Sequence, residues 1–138
     1  MAKIYLAAKF EARGLLRGFI GPISAMGHTL TSLWVLRDEA SGFPAASAAR
    51  SDLADLDAAD LLILDTSFPG GSGREVELGY ALARGKRVWK VGPDCNVFHA
   101  HPDIRQFEDW SAVLAALRGL EQAPEPDTCQ LMLLESAR

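Results

Sequence analysis

The run Leu61-Leu62-Ile63-Leu64-Asp65, followed by a glycine-rich turn, restricts this chain more than any other stretch. Four apolar residues closed by an aspartate, with no polar alternation, read as a strand buried on both faces. Strands of that kind belong to parallel sheets covered by helices on either side. The turn, Ser67-Phe68-Pro69-Gly70-Gly71-Ser72-Gly73, leads into an expected helix that starts at Ser72 or Gly73 and runs to Arg84. Gly85 stops it, since glycine tolerates positive φ at a helix end.

The flanking segments repeat the alternation. Lys3–Ala7 reads as a buried strand, and Lys9–Met26 as a loop plus a helix ending near Gly27, interrupted by Gly14, Gly18 and Gly21-Pro22. Thr29–Leu36, rich in β-branched and aromatic residues, reads as a second strand, and Arg37–Ser47 as a loop. An acidic helix is expected over Ala45–Ala59, closed by Asp60. Strand Arg87–Val91, loop Gly92–Pro102, short strand Ile104–Phe107 and helix Trp110–Leu120 follow. The expectation is an α/β fold, a three-layer sandwich with a mostly parallel five-stranded sheet of the flavodoxin or Rossmann kind. Residues 1–120 form the domain, and 121–138 read as a C-terminal tail whose apolar Leu131–Leu134 is suited to docking.

The chain's 138 residues suit one domain, and its net charge of -4 argues against a nucleic-acid-coating surface, which needs an excess of Lys and Arg. No stretch approaches the roughly 20 apolar residues that span a bilayer. Cys95 and Cys129 lie far apart, which predicts two free thiols in a reducing compartment. Met-Ala-Lys-Ile-Tyr-Leu enters a strand with no leader pattern, so a cytoplasmic protein without membrane or nucleic-acid partners is expected.

In such sheets ligands bind beyond the carboxyl ends of the strands, where strand order reverses. That directs attention to Ala8–Phe10 and to Thr66–Gly73. Gly70-Gly71-Ser72-Gly73 allows close backbone approach and aims N–H groups at an anion, or is simply a flexible connection. It lacks the lysine and hydroxyl of a Walker loop. Glu75 and Glu77 stand two apart in the first helical turn and point to different sides, so at most one faces a cleft. Spacing alone does not choose between them, and either suits the helix dipole. Asp60 and Asp65 bracket a strand, where acids are often only solvated, and Asp52 lies eight residues before Asp60 on the acidic helix. Tyr5 suits core packing. His99-Ala-His101 lacks a third ligand at metal-binding spacing, so neither metal nor cofactor is expected.

Taken in order, these pieces resemble the nucleoside 2-deoxyribosyltransferase family, which includes the 2'-deoxynucleoside 5'-monophosphate N-glycosidases. The resemblance spans Lys3 to about Leu117. It rests on the Lys-Ile-Tyr-Leu-Ala strand, on Asp52 eight residues before Asp60, and on the helix Glu77-Leu78-Gly79-Tyr80-Ala81 ended by Gly85-Lys86. It implies that Glu77 is the nucleophile, that Tyr5 orients it and that Asp52 lies near the leaving base. It also implies that Ala8, Phe10, Gly71, Ser72 and Gly73 line the substrate site, and that Asn96 stands where a neighbouring subunit of a homodimer or larger homo-oligomer contributes. Family members acting on free nucleosides carry an aspartate six residues before the nucleophile, whereas Gly71 stands there. The monophosphate glycosidases place small Ser and Gly residues there. Their Gly-rich, Arg-containing loop after strand one is absent, leaving Lys9 or Arg13 as candidate cations. The implied function is cleavage of the N-glycosidic bond of deoxynucleosides or their 5'-monophosphates through a glycosyl-glutamate, with transfer to a free base or water. The alternatives are a non-catalytic nucleotide-binding module of the same fold and a flavodoxin-like domain binding a flavin phosphate.

Overall fold

The computed structural model describes residues 1–37 and 42–122, so Cys129 and Leu131–Leu134 lie outside the described residues. Strands β1 (Lys3–Ala7), β2 (Thr29–Leu30), β3 (Leu61–Asp65), β4 (Arg87–Val91) and β5 (Ile104–Phe107) alternate with helices α1 (Arg13–Ala25), α2 (Ala45–Asp57), α3 (Ser72–Ala83) and α4 (Trp110–Gln122). All strand pairs are parallel, in the order β2-β1-β3-β4-β5. Helix α1 packs with α4 and α2 packs with α3, giving the three layers expected. Each residue of β3 is buried, as its unbroken apolar run requires.

The order reverses between β1 and β3, so their carboxyl ends open a crevice at the point where such sheets take ligands. Asp60 sets the register at the opposite end. Its backbone N–H donates to the Lys3 carbonyl (2.8 Å), and its Oδ2 accepts from the Lys3 N–H (3.0 Å). The Tyr80 hydroxyl donates to both Asp57 carboxylate oxygens (2.8 and 2.9 Å). Lys86 Nζ donates to the carbonyls of Asp57 and Ala59 (2.9 and 2.8 Å). Two parts of the motif that carried the resemblance therefore fasten α3 and the start of β4 to the end of α2.

Two segments depart from expectation. The second strand is only Thr29–Leu30, and Leu33–Leu36 forms a 3-10 turn instead of continuing the strand. The Ser32 hydroxyl oxygen accepts from the Leu6 N–H (3.0 Å), taking the place of a ladder carbonyl. Trp34 then turns inward and donates from Nε1 to the Leu6 carbonyl (2.7 Å). The β-propensity of this stretch yields to burial of Trp34 and Val35. The second departure is α1, which runs unbroken through Gly14, Gly18, Gly21 and Pro22. Leu16 and Ile23 are fully buried on one side, and that packing outweighs poor local propensity.

Gly92 follows β4 at φ +111, where a Cβ would lie 2.6 Å from Thr66 Oγ1 and 3.1 Å from the Ser67 nitrogen. Thr66 is itself held, donating to the Pro93 carbonyl at 2.6 Å. Gly92→Ala is expected to destabilise the protein by about 2 kcal/mol or more through positive φ and overlap together, read as a lower urea midpoint at unchanged m-value. An unchanged midpoint would mean that the β3 and β4 ends are not locked together.

Candidate active site

A cavity of about 440 Å³ opens at the β1 and β3 ends, lined by residues that include Ala8, Lys9, Phe10, Trp34, Arg37, Asp52, Gly71, Gly73, Arg74 and Glu77. Glu77 reaches it from the second turn of α3. Tyr5 lies beneath it on β1, fully buried, alternating with Ile4 and Leu6 and so turned to the face that α3 covers. Asp52 enters from α2 with its side chain 24% exposed.

The electrostatics of these three groups interlock. Burial pushes the Glu77 carboxyl up to about 8, the Tyr5 hydroxyl opposes that shift, Asp52 adds to it and Arg37 offsets part of it. Burial, together with Glu77 and Asp52, pushes the Tyr5 phenol far up, so it stays a proton donor. Burial also raises Asp52, against its ion pair with Arg37. Neither the Tyr5 hydroxyl nor Glu77 Oε2 has a hydrogen-bond partner among the described residues, although both atoms are buried. The Tyr5 hydroxyl is near enough to the Glu77 carboxylate for each to shift the other.

The turn before α3 is shaped by packing. Gly71 sits at φ +96, and a Cβ there would lie 3.2 Å from both Lys9 Cα and Lys9 Cβ. A Cβ on Gly70 would lie 3.8 Å from Lys9 Nζ. The loops after β1 and β3 therefore touch, with the Lys9 stem across the glycines. Arg74, 2% exposed, braces the same turn from below by donating to the Phe68 carbonyl (2.8 Å). Asp65 is not solvated at its strand end. It is 1% exposed, with Oδ1 accepting from the Ser67 N–H (2.7 Å) and Oδ2 from Trp110 Nε1 (2.7 Å).

Of the residues singled out in the sequence, Glu77, Asp52, Ala8, Phe10, Gly71 and Gly73 share the cavity wall, and Tyr5 underlies it. Ser72, the first residue of α3, is exposed beside it. Asn96 is elsewhere. It lines a second cavity of about 400 Å³ with Glu75, Leu78, Gly79, Leu82 and Phe98. The two glutamates of α3 thus face different cavities. His99, fully buried, accepts from the Cys95 N–H at Nδ1 (2.9 Å) and so presents Nε2–H to Glu75 (2.8 Å). Burial raises Glu75, but hydrogen bonds from Asn96 and His99, with the charge of Arg74, outweigh it and lower the carboxyl. His99 is thereby a structural partner. Among the described residues no group of three His, Cys, Asp or Glu is placed to hold a metal, and no helix is long and apolar enough to cross a membrane. Arg37 and Arg74 were not singled out in the sequence, since a lone arginine in a loop or acidic helix carries no spacing signal.

No protein-family model and no curated protein matches the sequence. Solved structures do. The chain superposes on a 2-deoxyribosyltransferase from the psychrotolerant bacterium Bacillus psychrosaccharolyticus with a TM-score of 0.66 and 25% identity, over 84% of this chain and 96% of that one. The fold is that of the nucleoside 2-deoxyribosyltransferase family. A CMP N-glycosidase of Clostridium botulinum gives a TM-score of 0.64 at 17% identity, over 83% of this chain and 97% of that one. A conserved protein from Enterococcus faecalis V583 gives 0.62 at 17% identity, over 86% and 98%. Two of these family neighbours are enzymes that transfer or cleave glycosyl groups.

The raised Glu77 carboxyl has a stability consequence. An ordinary glutamate, near 4.5, releases its proton well below the value of about 8 that Glu77 has in the folded protein. Between those values the folded state binds more protons, so stability falls as pH rises through the window. Glu77→Gln removes that term. Relative to wild type, the variant is expected to gain stability between about pH 4.5 and pH 8, at up to about 1.4 kcal/mol per pH unit. Urea unfolding at several pH values reads this directly. A variant that loses stability relative to wild type as pH rises would show that Glu77 is ionised and well paired.

Proposed function

We propose that the protein cleaves the N-glycosidic bond of 2'-deoxynucleoside 5'-monophosphates or 2'-deoxynucleosides through a covalent glycosyl-Glu77. What carries this reading is the convergence of Glu77, Asp52 and Tyr5 on one cavity at the β1/β3 crevice. Departure of the base leaves positive charge on the anomeric carbon. A carboxylate beside it stabilises that charge and then bonds to the carbon. The C–N electron pair stays with the base, and Asp52 supplies the proton that lets the base leave neutral. Burial suits Asp52 to its part, since a raised proton affinity favours the acid form, whereas Glu77 attacks only once it has given up its proton. Tyr5 is a positioning residue: a phenol that remains protonated steers the Glu77 oxygen. Water or a second base then attacks the glycosyl-enzyme and releases Glu77.

The 5'-monophosphate is the favoured substrate form. The position of the aspartate that the resemblance associates with a free 5'-hydroxyl is Gly71, whose φ of +96 strains any side chain and where a Cβ would crowd Lys9. In its place stand backbone N–H groups at the start of α3 and the Lys9 ammonium, which has no ion-pair partner among the described residues. Both suit a phosphate dianion. Asn96, on the far side of α3, reaches a substrate only from a second copy of the chain.

Incubation with deoxynucleosides and their 5'-monophosphates, with and without a free base, followed by chromatography, tests the reading. Glu77→Ala and Glu77→Gln are expected to abolish base release with folding intact, and Asp52→Asn to slow it by roughly 10²–10⁴-fold. Full activity in either Glu77 variant removes the covalent mechanism. Nucleotide binding by calorimetry with no base released on long incubation would favour the non-catalytic alternative.

A further inference from the structure

Arg37 has no counterpart among the residues that carried the resemblance, yet it stands on the cavity wall beside Asp52 and Glu77. Its Nη2 donates to Asp52 Oδ1 at 2.7 Å. Its guanidinium carbon lies 4.8 Å from the centroid of the Phe43 ring. These two contacts hold the guanidinium between Asp52 and the Phe43 ring. Nε and Nη1 make no hydrogen bond among the described residues. The side chain is 18% exposed, so its charge is partly withdrawn from water and felt by Glu77.

A purely structural account makes the pair a strap between residue 37 and α2. That strap is not needed at this point. The turn before it is already tied to α2 by the Leu33 N–H donating to Asp55 Oδ2 (3.4 Å), and to α1 by Arg17, which donates from Nε to the Val35 carbonyl (2.8 Å) and from Nη2 to the Arg37 carbonyl (3.2 Å). The Arg37 side chain is therefore free to serve the cavity.

We infer that Arg37 is a leaving-group residue that donates its unused N–H groups to the carbonyl of an oxo-pyrimidine or oxo-purine base as the glycosidic bond breaks. This rests on the N-glycosidic reading and deepens it. As the C–N pair moves onto the ring nitrogen, it delocalises to the carbonyl oxygen. A preoriented guanidinium meets that charge there without transferring a proton, and Asp52 completes neutralisation by giving its own. Arginine suits this better than lysine, because its planar, always-charged fork holds its N–H groups in a set direction toward one carbonyl oxygen.

The test is leaving-group sensitivity, which a strap would not change. Wild type, Arg37→Gln and Arg37→Lys are assayed with 2'-deoxyuridine and 5-fluoro-2'-deoxyuridine, and with 2'-deoxyguanosine and its 7-methyl derivative, all as 5'-monophosphates and as free nucleosides. Fluorine makes uracil a better leaving group at nearly constant shape, and 7-methylguanine departs without added negative charge. Arg37→Gln is expected to slow release of uracil and guanine roughly tenfold or more beyond any effect on their activated partners, the scale of one charge-assisted hydrogen bond. Arg37→Lys is expected to restore part of that difference. The ratio within each pair does not depend on how much of a variant folds. An active wild type with equal falls in both members of each pair overturns the role of Arg37 alone. A wild type that releases no base from any of them overturns the N-glycosidic reading, and this role with it.

Discussion

A carboxylate shut away from water beside a second carboxylate must either keep its proton or be balanced by a cation. Glu77, Asp52 and the Tyr5 phenol meet this constraint with one guanidinium, Arg37, which pairs directly with Asp52. Glu77 is left underbalanced, and its proton affinity rises. Glu75, two residues earlier on the same helix, has the opposite fate, because His99, Asn96 and Arg74 surround it and lower its carboxyl. One helix thus carries two glutamates whose surroundings drive them apart. That separation distinguishes a group poised for chemistry from one that joins elements together. The proposed role of Glu77 rests on this difference in environment, since spacing treats the two alike.

The arrangement persists because the backbone around it is fixed at several points. Tyr5 belongs to β1, which pairs with strands on both sides, so its hydroxyl has little freedom. The start of α3 is held from above by the Lys9 stem on Gly71 and from below by Arg74 on the Phe68 carbonyl. The Asp65 carboxylate ties the turn to α4 through Ser67 and Trp110. The Lys9 and Trp110 contacts span elements distant in sequence, while the Arg74 and Ser67 bonds close the turn locally. An underbalanced carboxylate would otherwise be relieved by a small rotation toward water, and these contacts oppose it.

The layers, the parallel sheet and the boundaries of α2, α3 and β3 to β5 were legible, because buried runs and a glycine after α3 are local signals. The second strand was not. Whether Ser32 or a backbone carbonyl receives the Leu6 N–H depends on a partner 26 residues away. The helix ending near Gly27 was legible, but its continuity through Gly14, Gly18, Gly21 and Pro22 was not, since only the buried faces of Leu16 and Ile23 argue for it. In the cavity, Glu77, Asp52 and Tyr5 were reached through the order of motifs. Arg37 and Arg74 were not, because a single arginine acquires meaning only from what it touches. Asp65 was misread as solvated, because its partner Trp110 lies 45 residues on.

The contact at Gly71 bears on how selectivity in such a cavity is built. A side chain that grips a sugar hydroxyl is easily altered by substitution. A backbone that favours glycine, pressed against the Lys9 stem, disfavours that option sterically. What remains at this wall is main-chain N–H and a flexible ammonium, which favour charge over a specific hydroxyl geometry. The opposite wall follows the reverse logic, with a guanidinium held by Asp52 and Phe43. In the proposed reaction the phosphate end of the substrate thus meets an adaptable anion site, and the base end meets a rigid donor. Placing rigidity at the end where charge develops is the arrangement electrostatic catalysis requires, because donors already oriented cost nothing further as the bond breaks.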